Sequence, residues 1–137
     1  MVSLTRTVVF PASHFLRLDR LTDEENRARF GWTVDPHGHD YRVSVTVSGP
    51  PEPGTGTVMD LAQLDHILSE EVTAPLHGTS LNDALPPVRA GNALPVCEVM
   101  AAWFFERIAV RLPVGVRLVR VRVAEDDTLH ADCTGTA

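Results

Sequence analysis

The 137-residue sequence contains no lysine: all 12 basic residues are arginine, set against 18 acidic residues for a formal charge of -6. An acidic domain without a basic run lacks the electrostatic footprint that phosphate backbones require, which excludes nucleic acid as the expected partner. Long apolar runs are missing too. None reaches the roughly 18 residues that span a bilayer, and the segment after Met1 is polar and strand-like rather than a leader, so the expectation is a cytoplasmic protein without membrane contact. Cysteine is scarce. Cys97 and Cys133 stand 36 positions apart with no CxxC partner, which argues against a disulfide framework or a thiolate metal site.

What is present fits one folded domain over residues 1–137. The chain is 44% hydrophobic and 22% charged, too mixed for a disordered or fibrous protein. Residues 5 to 16 place Val8, Phe10, Ala12, His14 and Leu16 on one parity, the period of a half-buried strand. A long loop with at most one helical turn is expected from there to Pro36. In HGHDYRVSVTVSG, His37, His39, Tyr41, Val43, Val45 and Val47 then share one face of a second strand, which GPPEPGTG ends.

Helical spacing starts at Asp60, a candidate N-cap, with Leu61, Leu64, Leu68 and Val72 as the apolar stripe of a helix reaching about Thr73. Residues 75 to 94 read as irregular. Pro95 suits the first turn of a second helix, whose Val99, Met100, Trp103, Phe104 and Ile108 form a broad apolar face before Pro113. Val119, Val121 and Val123 alternate with arginines in a third strand, and a fourth is expected near Thr128 to Cys133. Pairs of strands and helices segregated in this way predict an α+β fold, an antiparallel sheet with helices on one face.

His37 and His39, two apart on a strand, leave the same face about 6.6 Å apart along the chain. Neutral imidazole is a favoured zinc ligand, and His14, inward on the neighbouring strand beside Ala12 and Ser13, is the natural third. HxH pairs are common, and most histidines are simply packed or solvated. A three-histidine set, however, leaves the fourth tetrahedral position open, which characterises a catalytic Zn2+ more than a structural one.

Ala12-Ser13-His14, His37-Gly38-His39-Asp40-Tyr41, Val58-Met59-Asp60-Leu61, Leu81-Asn82, Pro95-Val96-Cys97-Glu98 and Val123-Ala124-Glu125 occur in this order. The ordered set resembles the 6-pyruvoyl tetrahydropterin synthase and 6-carboxytetrahydropterin synthase family over nearly the whole chain. The resemblance implies the tunnelling fold, a four-stranded antiparallel sheet backed by two helices, assembled into homo-oligomeric barrels as trimers or hexamers. It also implies zinc on His14, His37 and His39 and a small-molecule substrate at a subunit interface. Glu125 matches the carboxylate that holds the heterocycle, with Glu98 and Cys97 as further pocket members.

Two positions depart from the family pattern. The catalytic cysteine expected before HGH is replaced by Thr33 in a shorter loop, and the usual Asp-His pair reads His77-Gly78. A hydroxyl cannot stand in for a thiol with a pKa of about 8.5. His77 is the one titratable group left there for acid or base work. The primary expectation is therefore a zinc-dependent lyase or cyclase acting on a pterin-like bicycle with an altered relay. One alternative is a repurposed enzyme closing a ring by aldehyde–amine, Pictet–Spengler-type condensation. The other is a non-catalytic zinc-binding module.

Overall fold

The computed structural model describes residues 1–135. Strand β1 (Val2–His14) leads through helix α1 (Asp23–Phe30) and a 3-10 turn (Gly31–Val34) to strand β2 (His37–Gly49). Helix α2 (Leu61–Leu68) continues through a π turn (Ser69–Thr73) into α3 (Ala74–Leu76). Strand β3 (Thr79–Ser80), the short helices α4 (Leu81–Ala84) and α5 (Pro86–Arg89), the long helix α6 (Cys97–Ala109) and strands β4 (Arg117–Asp126) and β5 (Leu129–Cys133) complete the order.

The sheet runs β3-β1-β2-β4-β5. Its four long strands are antiparallel as expected, with β1 and β2 in unbroken register from Val2 opposite Gly49 to His14 opposite His37. The fifth strand is a departure from the four-stranded expectation. Thr79 and Ser80 lie parallel to Ala12 and Ser13, and the amide of Gly78, at φ 71°, donates to the Pro11 carbonyl at 2.7 Å. That left-handed turn folds the His77 loop against the end of β1.

One face of the sheet supplies the core: Phe10, Ala12, Tyr41, Val43, Val45, Val47, Leu118, Val121 and Val123 are buried there. Against them pack Leu64, Ile67 and Leu68 of α2 and Met100, Phe104 and Ile108 of α6. Each such side chain contributes about 1.5–3 kcal/mol on burial. The other face is polar, with hydroxyl pairs between Thr5 and Thr46 and between Thr7 and Ser44.

Several local expectations are revised. The loop after β1 holds two turns of helix, because Thr22 and Glu25 form a reciprocal capping box. Asn26, the buried residue of α1, ties that helix to the Leu18 amide and carbonyl. Asp60 occupies the N-cap of α2 without a side-chain hydrogen bond. The π turn in the α2–α3 segment sets Glu71 inward, where Arg107 and Arg111 pair with it. Pro95 precedes α6 instead of opening it. A bulge in β4 breaks the predicted alternation, as Thr46 faces Arg120 and Val47 faces Leu118, so Leu118 rather than Val119 is buried.

Candidate metal centre

The end of the β1–β2 ladder sets three imidazoles side by side. His14 closes β1 directly opposite His37, which opens β2, and His39 pairs with Ala12 one pleat further along. Ring centroids are 4.5 Å apart for His14 and His37, and 5.1 Å for each with His39. One nitrogen from each ring lies within 4.8 Å of the others. The three rings therefore face a common space.

The surroundings orient the rings. His14 Nδ1 donates to the Pro95 carbonyl at 2.7 Å, and His37 Nδ1 to the Asp35 carbonyl at 2.8 Å. A carbonyl can only accept, so each Nδ1 carries the proton and each Nε2 keeps its lone pair. Holding the distal N–H on a backbone carbonyl is how metal-ligating histidines are normally fixed. Burial lowers the His14 pKa, against the opposing pull of the Pro95 carbonyl and with help from repulsion by His37 and His39. A neutral imidazole is the form a metal needs.

His14 Nε2 and His39 Nε2 are buried without a hydrogen-bond partner. Such atoms are rare; an ion accounts for both, while His39 Nε2 also has the Glu125 carboxylate 2.7 Å away, outside hydrogen-bond geometry. The donor set fits a divalent cation: three imidazoles on rigid strands, two of them with Nδ1 engaged from outside so that Nε2 faces inward.

Tyr41 follows on the same face of β2, its ring 5.5 Å from that of His39 and its hydroxyl 3.1 Å from His14 Nδ1. Burial, with the Glu125 charge adding to it, raises the Tyr41 pKa and keeps the phenol protonated. Its parity with His37 and His39 is the signal in the sequence for this placement. The Pro95 carbonyl carried no such signal. Trp32, largely exposed, rests its ring 4.6 Å from His37.

Glu125 Oε2 lies 2.7 Å from His39 Nε2 and 3.6 Å from His14 Nε2, so this carboxylate stands against the imidazoles. Cys97, the first residue of α6, is buried, and burial with the nearby Glu125 charge pushes its thiol up to about 12. Glu98 is exposed on the same first turn. Thr33 sits in the 3-10 turn, its hydroxyl donating to the Phe30 carbonyl. His77 is exposed, while its neighbour Gly78 borders an open recess of about 420 Å³ with Thr79, Ser13 and His39. Among the described residues, no helix is long and apolar enough to cross a membrane.

The family model described as 6-pyruvoyl tetrahydropterin synthase matches residues 3–136. The 6-pyruvoyl tetrahydrobiopterin synthase of Homo sapiens is 38% identical over 126 residues, 90% of this chain and 85% of the human one. A putative 6-carboxy-5,6,7,8-tetrahydropterin synthase of Pyrococcus abyssi is 32% identical over 158 residues, 99% of this chain and 94% of its own. Among solved structures, the Caenorhabditis elegans 6-pyruvoyl tetrahydropterin synthase superposes with a TM-score of 0.86 at 26% identity, covering 98% of this chain and 96% of that one. Sequence and fold together place this chain in the 6-pyruvoyl tetrahydropterin synthase family, a family of pterin-synthesising enzymes.

Proposed function

We propose that the protein is a zinc-dependent lyase or cyclase acting on a pterin-like bicyclic heterocycle, with His14, His37 and His39 as the metal ligands. The observation that carries this reading is the pinning of two Nδ1–H groups on backbone carbonyls, which aims Nε2 lone pairs into a common space. When bound, a zinc ion there supplies Lewis acidity, polarising a carbonyl or easing ionisation of a substrate hydroxyl. Glu125, Glu98 and Cys97 line the approach at the end of β4 and the start of α6. The Glu125 carboxylate accepts paired hydrogen bonds from an amino-pyrimidinone edge.

Thr33 spends its hydroxyl on the Phe30 carbonyl and orders the turn rather than carrying protons. His77 takes the acid–base role from the loop docked on β1. Subunits join into trimers or hexamers through free strand edges: along β1, only Ala12 and Ser13 pair with β3 among the described residues, which leaves a long open edge.

A second reading, ring closure by aldehyde–amine condensation, is favoured by one observation, the engagement of Thr33 where a thiol base is expected. Incubating zinc-loaded protein with dihydroneopterin triphosphate separates the two. Loss of triphosphate with rearrangement of the side chain supports the primary reading. Inertness towards this and other pterins, with turnover of an aldehyde and an aromatic amine, sinks it.

A further inference from the structure

Glu125 turns its carboxylate into the histidine corner, beside His39 and against a nitrogen of His14 that has no proton to offer it. Its Oε2 stands 3.6 Å from His14 Nε2, and that nitrogen presents a lone pair because Nδ1 carries the proton for Pro95. Two electron-rich atoms thus face each other in a buried corner, an arrangement that repels unless a cation lies between them. At 2.7 Å from the same oxygen, His39 Nε2 also lacks a hydrogen bond. Ligand atoms about 2.0–2.2 Å from a tetrahedral ion lie about 3.3–3.5 Å apart. The two distances bracket that edge; the donors already converged are the three histidines, and Glu125 completes the set by closing on His37.

The backbone shows how the carboxylate reaches this place. Across β4 and β5, Ala124 faces His130 and Asp126 faces Leu129, so Glu125 is the extra residue of a bulge. On the other side the β2 ladder stops at Ala124 opposite Arg42. Free of both ladders, Glu125 is re-aimed by the bulge, as such residues often are beside reactive sites. The turn beyond is anchored by Asp126, whose carboxylate accepts from the Thr128 amide, the Thr128 hydroxyl and the Leu129 amide.

We propose that Glu125 is a fourth protein ligand to the metal in the substrate-free protein, and that substrate reaches the ion by displacing it. The inference rests on the three-histidine metal site proposed above and deepens it. A closed site excludes adventitious ligands at rest, and the released carboxylate is then free to accept hydrogen bonds from the heterocycle. One side chain would serve both stages.

The test uses the full-length protein, stripped with a chelator and reloaded with Zn(II) or Co(II), as wild type, Glu125→Gln and Glu125→Asp. Gln keeps the shape and removes the charge; Asp keeps the charge and withdraws the oxygen. Far-UV circular dichroism establishes that each is folded. Both variants are expected to lose at least tenfold in Zn(II) affinity by chelator competition, and to shift the position and intensity of the Co(II) d–d bands. A wild-type Co(II) spectrum in Glu125→Gln, or wild-type affinity and spectrum in Glu125→Asp, overturns the proposal and leaves the histidine site standing. Failure of wild type to take up either ion is a separate outcome, which removes the histidine site and this inference together.

Discussion

His14, His37 and His39 sit on two thirteen-residue strands in continuous register, whereas Thr33 belongs to a four-residue 3-10 turn and His77 to an exposed connection. The first group is held from behind by Pro95, Asp35 and Tyr41. Of the second, Thr33 is committed to a local carbonyl and His77 faces solvent. Preorganisation is concentrated at the histidine corner, with little at Thr33 and His77, the positions where the family pattern places its proton relay. Reactive groups need support to act. Under the proposed function, the metal corner is the part of the pattern this chain retains, and the relay the part it has rebuilt or abandoned.

The sharpest way to break that contrast is to delete a ligand and a relay position separately. His37→Ala or His39→Ala should lower Zn(II) affinity more than about 100-fold, beyond the 10- to 100-fold typical of losing an outer partner. Chelator competition measures it. Thr33→Cys should leave kcat/KM on a pterin substrate within about twofold, since a thiol in this rotamer faces the Phe30 carbonyl. A gain of 100-fold, the low end for a working general base, would show that the turn still presents position 33 to the substrate.

The same contrast decides what could be read in advance. Period-two patterning carries the imidazoles, because a strand fixes which face every second residue takes, and His14, His37 and His39 obey it. Glu125 could be found by motif but not placed, because its position depends on a bulge that becomes visible only once β4 is paired with β5. Helix α1 has no apolar period to announce it, only Thr22 and Glu25 at capping-box spacing, and its hold on the domain is the amide of Asn26. Strand β3 is two residues of backbone pairing, with no side-chain pattern to detect. Local regularity was legible, and pairing irregularity was not.

Smaller effects probe the support around the ligands. Tyr41→Phe removes the hydroxyl beside His14 Nδ1 but leaves the Pro95 carbonyl as acceptor. Zn(II) affinity should fall about tenfold, at the mild end for an outer partner, with a stability loss of about 1 kcal/mol for one hydrogen bond. Unchanged affinity would make Pro95 alone sufficient. Trp32, resting on His37, should report loading: Co(II) titration is expected to quench its fluorescence, and Trp32→Phe to abolish most of the quench. Equal quenching after that substitution would point to Trp103 and place the ion elsewhere.

The weakest expected effect lies in the turn that carries the Glu125 bulge. Hydrogen bonds from the Thr128 hydroxyl and amide hold the Asp126 carboxyl below its ordinary 3.8. A depressed carboxylate contributes stability that is present above the unfolded pKa and lost as pH falls through the folded one. In metal-free protein, amide exchange at Thr128 and Leu129 should therefore quicken, relative to its intrinsic rate, as pH drops below 3.8. Asp132, paired with Arg122 on the same hairpin, shifts in the same direction, so the Asp126 share needs its own variant. Asp126→Ala should show the faster exchange already at neutral pH, by a few-fold, and little further change on acidification of those two amides. If exchange in the variant matches wild type at neutral pH, the turn is held by its backbone alone, and the aim of Glu125 depends on the bulge without help from Asp126.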